Sequence, residues 1–266
     1  MRFAEPITTT DAPLARRNPV AKLAAALVLS MALVVTLDPV APTVALAAEL
    51  ALLPAFGVRP RALLGRAWPL LVSVLGLVLT LMLFGAERTG ATLITLGPLA
   101  VTTGLLTNAA GLGMRLIAIA LPGVIVFATT DPTDLADSLI QNVKAPPRFA
   151  IGALAAFRLV PLLGEEWTML SLARRARGVD AGRNPIAQLR LFASTAFGLL
   201  VGAIRRGTRL AVAMDARGFD SGLPRTVARP QRFGPADAAL IVGGAAIGTL
   251  AIAVSLAVGA FRPILG

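Results

Sequence analysis

The run WPLLVSVLGLVLTLMLF, residues 68–84, contains no charged residue. An α-helix rises about 1.5 Å per residue, so a helix of this length is just long enough to cross the hydrocarbon core of a bilayer. Trp68 stands at the basic end of the run, where an indole suits the membrane interface. The stretch therefore predicts a membrane-spanning helix rather than part of a soluble core.

The rest of the chain has the same character. It is 56% hydrophobic over 266 residues, with a mean hydropathy of +0.78, well above what a soluble domain needs. We expect an all-α polytopic membrane protein with about five transmembrane helices. The predicted spans are residues 20–37, 40–56, 68–84, 116–128 and 238–261.

Two details refine this prediction. The first run could instead belong to a signal peptide cleaved near residues 45–48, but the continuing apolar stretch over 40–56 favours a helical hairpin. In the last span, Gly244 and Gly248 have the spacing that allows another helix to approach closely.

Charge predicts the orientation. The 25 Lys+Arg exceed the 14 Asp+Glu, and residues 131–232 alone hold 15 Lys+Arg against 8 Asp+Glu. The positive-inside rule then places the N-terminus, the 59–66 loop and residues 131–232 in the cytoplasm of a bacterial or archaeal cell. Nucleic acid binding would also explain a basic chain, but not the apolar runs. The expected regions are a cytoplasmic tail (1–18), transmembrane helices 1–4 (19–130) with an amphipathic helix at the membrane interface (85–110), a basic cytoplasmic domain (131–232), and the last transmembrane helix with the C-terminus (233–266).

The missing residue types restrict the chemistry. The chain has no Cys, His or Tyr, and its two lysines, Lys22 and Lys144, do not follow a glycine as a Walker A loop requires. Within the predicted spans the sole carboxylate is Glu49, so no acid/base pair is available for a membrane-embedded enzyme. We expect a non-catalytic chain without a cofactor, and ATP hydrolysis, if it is used, in another chain.

A short motif occurs twice in the basic region. Residues 176–180 read Ala-Arg-Gly-Val-Asp, and residues 216–220 read Ala-Arg-Gly-Phe-Asp. Each copy ends a predicted helix, where glycine favours the left-handed cap and arginine complements the helix dipole, so capping alone would explain the pattern. A guanidinium held at a helix tip is also a rigid fork suited to carboxylates or carbonyls in a groove of a partner. The aspartates Asp180 and Asp220 either orient the arginines or serve only the turn that follows.

Other residues of this region have structural roles in our interpretation. Residues 130–134, Thr-Asp-Pro-Thr-Asp, are typical of a helix start. Arg158 with Glu165 or Glu166 is expected to brace neighbouring helices. The apolar run over 191–204 is too short to cross a membrane.

With both Ala-Arg-Gly motifs in place, the sequence resembles the T component of energy-coupling factor (ECF) transporters, whose signature is this pair. That family includes the membrane subunits of cobalt, biotin and shared vitamin importers. Further matches are Asn-Pro-Val-Ala-Lys-Leu (18–23), Thr-Thr-Asp-Pro (129–132) and Phe-Arg-Leu-Val-Pro-Leu (157–162) followed by Glu165.

The resemblance implies a coupling role. Ala176, Arg177 and Gly178 would dock one ATP-binding cassette ATPase subunit, and Ala216, Arg217 and Gly218 a second one. Movement of the two ATPases would pass to one small substrate-binding membrane subunit, which would release a vitamin or metal ion inside. The alternative is a membrane scaffold or anchor whose basic domain binds anionic membrane lipid.

Overall fold

The computed structural model describes residues 12–85, 91–96, 99–182, 184–219, 221 and 226–264. They form eight helices and a β-hairpin, in two compact units. The first unit comprises the described residues up to Val143 and from Gln231 onward, and the second lies within Lys144–Pro230. In chain order the elements are α1 (Pro19–Val34), α2 (Val40–Leu52), α3 (Pro60–Phe84), β1 (Thr92–Leu96), β2 (Leu99–Thr102), α4 (Thr103–Thr129), α5 (Pro132–Asn142), α6 (Pro147–Ala176), α7 (Pro185–Ala216) and α8 (Pro235–Ala257).

Close contact between α1 and α8 is central to the first unit. A Cβ atom added to Gly248 would lie 2.6 Å from the Cβ of Ala32, and one added to Gly244 would lie 2.8 Å from the carbonyl oxygen of Ala25. Both separations are too short for a side chain, so the two helices meet only because these positions are glycine. The predicted close contact at Gly244 and Gly248 is confirmed. Around this pair, α2 and α3 pack against α4, and α2 also contacts α8.

The connection between α1 and α2 is fixed by Asp38. Its carboxylate accepts hydrogen bonds from the Thr36 hydroxyl and from the backbone N–H of Ala41, the latter at 2.6 Å. Burial raises the pKa of Asp38, but these hydrogen bonds outweigh burial and hold the pKa below its usual value. The loop therefore starts α2 at a defined place.

The number of apolar helices agrees with the prediction, but their identity does not. Among the described residues, five helices are long and apolar enough to cross a membrane by length and composition: 63–84 of α3, α4, α6, α7 and α8. The expected spans at 20–37 and 40–56 correspond instead to α1 and α2, which have 16 and 13 residues. The run 191–204, interpreted as too short to cross a membrane, is the middle of the 32-residue α7, which is long and apolar enough for a crossing.

The segment between α3 and α4 also differs from the prediction of an amphipathic helix over 85–110. Strands β1 and β2 form an antiparallel hairpin, with Thr92 opposite Thr102 and Leu96 opposite Leu99, and α4 begins at Thr103. Threonine, isoleucine and valine recur in these strands, and β-branched residues favour extended backbone. The parts of the prediction at 86–90, 97 and 98 lie outside the described residues.

The boundary of the basic region also shifts. Helix α5 starts as predicted, with the Asp131 carboxylate accepting from the backbone N–H of Thr133 at 2.6 Å and Pro132 at the first position. However, α5 packs against α1 and belongs to the first unit. Its buried Ala136 and Ser138 form the contact face. A charge count over 131–232 does not reveal this face. The second compact unit begins at Lys144.

The second unit consists mainly of α6 and α7, which run antiparallel. Arg174 near the end of α6 donates to the Thr195 hydroxyl near the start of α7 at 2.9 Å. A groove at the other end is lined by residues 148–159 of α6 and 207–219 of α7. Each of these long helices contributes one buried residue, Ala150 and Thr195 respectively. The unit is therefore a helix pair with most of its surface exposed.

Candidate functional site

The two Ala-Arg-Gly motifs form the same helix end. At the end of α6, the N–H of Gly178 donates to the carbonyl of Arg175 at 2.9 Å, and that of Val179 to Arg174 at 3.0 Å. At the end of α7, the corresponding bonds, from Gly218 to Asp215 and from Phe219 to Met214, measure 2.9 and 3.1 Å. This pair of bonds defines a Schellman cap.

Backbone angles show how closely the two ends agree. Gly178 has φ +75° and Gly218 has φ +72°, in the left-handed region that favours glycine. The arginines before them have φ −88°, ψ 8° at Arg177 and φ −91°, ψ 11° at Arg217. The predicted left-handed caps are confirmed, and each presents its arginine at a similar point of a similar turn.

The motif side chains are exposed. Ala176, Arg177 and Gly178 lie on the surface, as do Ala216, Arg217 and Gly218. Within the part of the chain that the structure describes, neither the Arg177 nor the Arg217 guanidinium has a hydrogen-bond or ion-pair partner. Capping is accomplished by the backbone alone, so the five N–H donors of each guanidinium remain available to another molecule.

The structure favours one of the two roles considered for the aspartates. The carboxylate of Asp180 accepts a hydrogen bond from the backbone N–H of Gly182 at 3.4 Å. Asp180 therefore supports the turn after the motif rather than orienting Arg177. Asp220 lies outside the described residues.

The two motifs lie at opposite ends of the helix pair. Arg177 follows α6 and precedes α7, whereas Arg217 follows α7 beside the first turns of α6. Helices of 30 and 32 residues are on the order of 45 Å long, which separates the two caps by about that distance. Two partners of domain size would fit side by side on such a span.

The contact between the two helices is held by a few side chains. Glu166 of α6 forms an ion pair with Arg206 of α7, and the rings of Trp167 and Phe192 pack with their centroids 5.1 Å apart. Of the two candidate acids, Glu165 and Glu166, it is Glu166 that braces α6 against α7. Glu165 is exposed, and the expected pairing of Arg158 with it stays a prediction.

Between the antiparallel ends, a groove of about 430 Å³ runs beside the second motif. Met214 and Phe219, the residues that flank the cap of α7, line it. Large apolar side chains elsewhere on the pair are exposed, including Phe149, Phe157, Phe192 and Phe197. This much exposed apolar surface indicates a region that lipid or another protein covers.

A polar junction in the first unit was missed by the sequence analysis. The Asn18 side chain accepts from the backbone N–H of Val20 at 2.9 Å and from the Ser138 hydroxyl at 2.6 Å. Its backbone N–H donates to Asp237 at 2.9 Å. Asn18 thereby joins the starts of α1 and α8 to α5. The available signal was Asn-Pro at 18–19, a helix start.

Lys22 completes this junction. It is 2% exposed, and its Nζ donates to the carbonyl of Thr129 at the end of α4, at 2.9 Å. A cation near the last carbonyls of a helix complements the helix dipole. The sequence analysis assigned no structural role to Lys22. In the structure it connects the first turn of α1 to the last turn of α4.

Similarity to known proteins is consistent with these features. The family CbiQ, described as cobalt transport protein, matches residues 11–227. The chain is 33% identical over 138 residues to the energy-coupling factor transporter transmembrane protein EcfT of Limosilactobacillus fermentum, a match that covers 49% of this chain and 52% of the relative. The protein of the same name from Lactococcus lactis is 28% identical over 179 residues, covering 64% and 67%.

A third relative has a different name. A chain from Bifidobacterium longum whose name describes an ABC transporter ATP-binding protein is 26% identical over 234 residues, 84% of this chain and 30% of the relative. The chain spans between about half and two thirds of the length of the two EcfT relatives.

The apolar helices show a multi-pass membrane protein, and the family match extends over most of its length. On this evidence the chain belongs to the CbiQ/EcfT family of transporter membrane components.

Proposed function

We propose that this chain is the coupling component of an ATP-driven ECF importer, and that it docks two ATPase subunits through its two Ala-Arg-Gly helix ends. The observation that carries the proposal is the pair of matching caps, whose arginines Arg177 and Arg217 are exposed and have no partner among the described residues. Because the two helix ends have the same cap geometry, we expect them to bind two identical or similar partner subunits. Catalysis of ATP hydrolysis belongs to those partners.

The relative from B. longum supports ATPase partners. Its name describes an ATP-binding protein, and the segment similar to this chain is 30% of its length. A region like this one is therefore joined there to a much longer polypeptide with an ATP-binding name. In the present chain the corresponding ATP-binding function would reside in separate subunits.

Geometry restricts how α6 and α7 can be placed. Because the motifs lie at opposite ends of an antiparallel pair, helices that crossed the bilayer would put Arg177 and Arg217 on opposite sides. ATPases that use cytoplasmic ATP need both motifs in the cytoplasm. We therefore place α6 and α7 along the cytoplasmic membrane surface, although their length and composition would allow a crossing. Their exposed apolar side chains then face lipid or the substrate-binding subunit.

The absence of cysteine from the sequence makes this placement easy to test. Val179→Cys and Ser221→Cys each put one thiol beside a motif. We expect a membrane-impermeant maleimide to label both in inverted membrane vesicles and neither in intact cells. Labelling of the two positions from opposite sides would contradict the placement.

Docking is tested by co-purification of the chain with its native partners. Arg177→Glu combined with Arg217→Glu should abolish recovery of ATPases, because each fork of donors becomes a repelling carboxylate. The matched control is Arg205→Glu with Arg209→Glu, which changes the net charge by the same amount at exposed positions two or more helical turns before the cap of α7. Retention of the ATPases by the motif variant would overturn the proposal.

The alternative, a lipid-binding anchor, predicts a different result from the same variants. Attraction to anionic lipid depends on net charge near the surface. An anchor would therefore lose vesicle binding equally in the motif variant and in the control. The proposed small substrate-binding subunit should co-purify with the wild type, and its ligand would identify the vitamin or metal ion carried.

A further inference from the structure

The first unit contains an apolar cavity of about 470 Å³ that the coupling role does not use. Residues of α1, α2, α4 and α8 line it, with Leu14 and Phe56 from the connecting segments. Its volume is in the range of sites for small organic ligands. The lining is almost wholly apolar, so the few charged groups in it determine what it can hold.

Glu49 is the first of these groups. It projects from α2 into the cavity lining and is 8% exposed. Among the residues that the structure describes, neither of its carboxyl oxygens has a hydrogen-bond partner. A buried carboxylate without a partner is costly, because burial removes its hydration and nothing replaces it. A ligand that brings a hydrogen-bonding cation would remove this cost.

Arg17 is the second group. It lies just before α1, is half-buried and lines the same cavity. Within the described residues its guanidinium has no side-chain or carbonyl partner, and it forms no ion pair with Glu49. The third charged group, Lys22, already donates to the carbonyl of Thr129. Among the described residues, the cavity thus presents one guanidinium and one carboxyl group that have no partner and do not contact each other.

We propose that this cavity binds a membrane phospholipid with a primary-ammonium headgroup, such as phosphatidylethanolamine. Its ammonium would donate to Glu49, its phosphate would accept from Arg17, and an acyl chain would fill the apolar part. A zwitterionic head offers, in one molecule, a hydrogen-bond donor for the carboxyl group of Glu49 and an acceptor for the guanidinium of Arg17. The cavity lies in the first unit, which contains the apolar helices α3, α4 and α8, so membrane lipid would surround it. This inference does not depend on the ATPase-docking role.

The test uses native mass spectrometry of the full-length protein with phosphatidylethanolamine and phosphatidylcholine of identical acyl chains. A trimethylammonium head carries the same charge but cannot donate a hydrogen bond. We expect wild type to prefer phosphatidylethanolamine by about tenfold, the value of one hydrogen bond to a charged group. Glu49→Gln should reduce this preference, because the amide oxygen still accepts a hydrogen bond but carries no charge, whereas Asp137→Asn, which removes a carboxylate outside the cavity, should keep it.

Two further variants test the phosphate contact and the cavity itself. Arg17→Gln should weaken the binding of both lipids. Arg16→Gln, at the exposed neighbouring position, should leave the binding of both unchanged. Gly243→Leu should exclude both lipids, because a Cβ at this lining position has no atom of the described residues within 4 Å and the leucine side chain would extend into the cavity.

Three results would overturn the proposal. One is equal binding of the two lipids by wild type, and another is an unchanged preference in Glu49→Gln. The third is an alkylammonium without phosphate that binds as tightly as the phospholipid. Each variant is first compared with wild type by size-exclusion elution and thermal unfolding, so that a folding defect is not taken for lost binding.

Discussion

The two units of this protein use helices in opposite ways. In the first, the backbones of α1 and α8 nearly touch at Gly244 and Gly248, and a buried junction at Asn18 ties three elements together. In the second, α6 and α7 are longer, yet each buries only one residue. The difference indicates that the first unit is stabilised by its own packing, while most of the surface of α6 and α7 stays exposed.

The largest expected effect comes from placing the same side chain in both units. Gly248→Leu puts a Cβ 2.6 Å from Ala32 and should separate α1 from α8, at a cost of about 1–3 kcal/mol or more. A Cβ added to Gly164 in α6 has no atom of the described residues within 4 Å, so Gly164→Leu should leave stability unchanged or raise it slightly. Thermal unfolding of the two purified variants checks this. An equal fall in Tm would show that the second unit is packed as tightly as the first.

A smaller loss is expected at the polar junction. Asn18→Ala removes the side-chain cap of α1 and the acceptor of the Ser138 hydroxyl, which is fully buried. We expect a destabilisation of about 1–3 kcal/mol from the lost cap and the unsatisfied hydroxyl. Denaturant titration measures it, and Asn18→Ala with Ser138→Ala should recover part of the loss. No recovery would contradict the coupling of these two residues.

The helix caps of the second unit should respond less. Gly178→Ala or Gly218→Ala places a Cβ at positive φ, which costs about 1 kcal/mol locally. Because these ends bury little, we expect faster hydrogen exchange over residues 174–179 or 214–219 and almost no change in Tm. ATPase recovery should fall, since the arginine is no longer held at a fixed point. A large fall in Tm would mean that the caps support the fold of the whole chain.

The smallest effect is predicted for the bracing ion pair. Both partners of the Glu166–Arg206 pair remain substantially exposed, and exposed pairs contribute little to stability. Arg206→Gln should leave Tm within experimental error. Any clear shift would show that the helix pair depends on this contact more than its exposure suggests.

Sequence patterns predicted the features that are local. Hydrophobic runs predicted an all-α membrane protein, and Arg-Gly at a helix end predicted left-handed caps, because glycine alone adopts positive φ without cost. The small-residue spacing of Gly244 and Gly248 predicted close packing because it appears along one helix face.

Features that depend on distant residues were not accessible. The position of α5 beside α1 depends on contacts of Asn18 with Ser138, which are 120 residues apart. The hairpin over 92–102 was hidden because apolar strands and apolar helices have similar composition. The sequence analysis chose some spans wrongly because it measured apolar runs, whereas the length of a helix is set by the residues at which it begins and ends. Docking by the six motif residues stays a prediction.

The fixed caps have a consequence for helix register. Each residue of an α-helix turns the chain by about 100°, so the direction in which Arg217 points depends on the number of residues in α7 as well as on the motif. One residue inserted in the middle of α7 would preserve Ala-Arg-Gly and its cap, yet aim the guanidinium roughly a quarter turn or more away. Helix phase is therefore as much a part of this recognition element as its three letters.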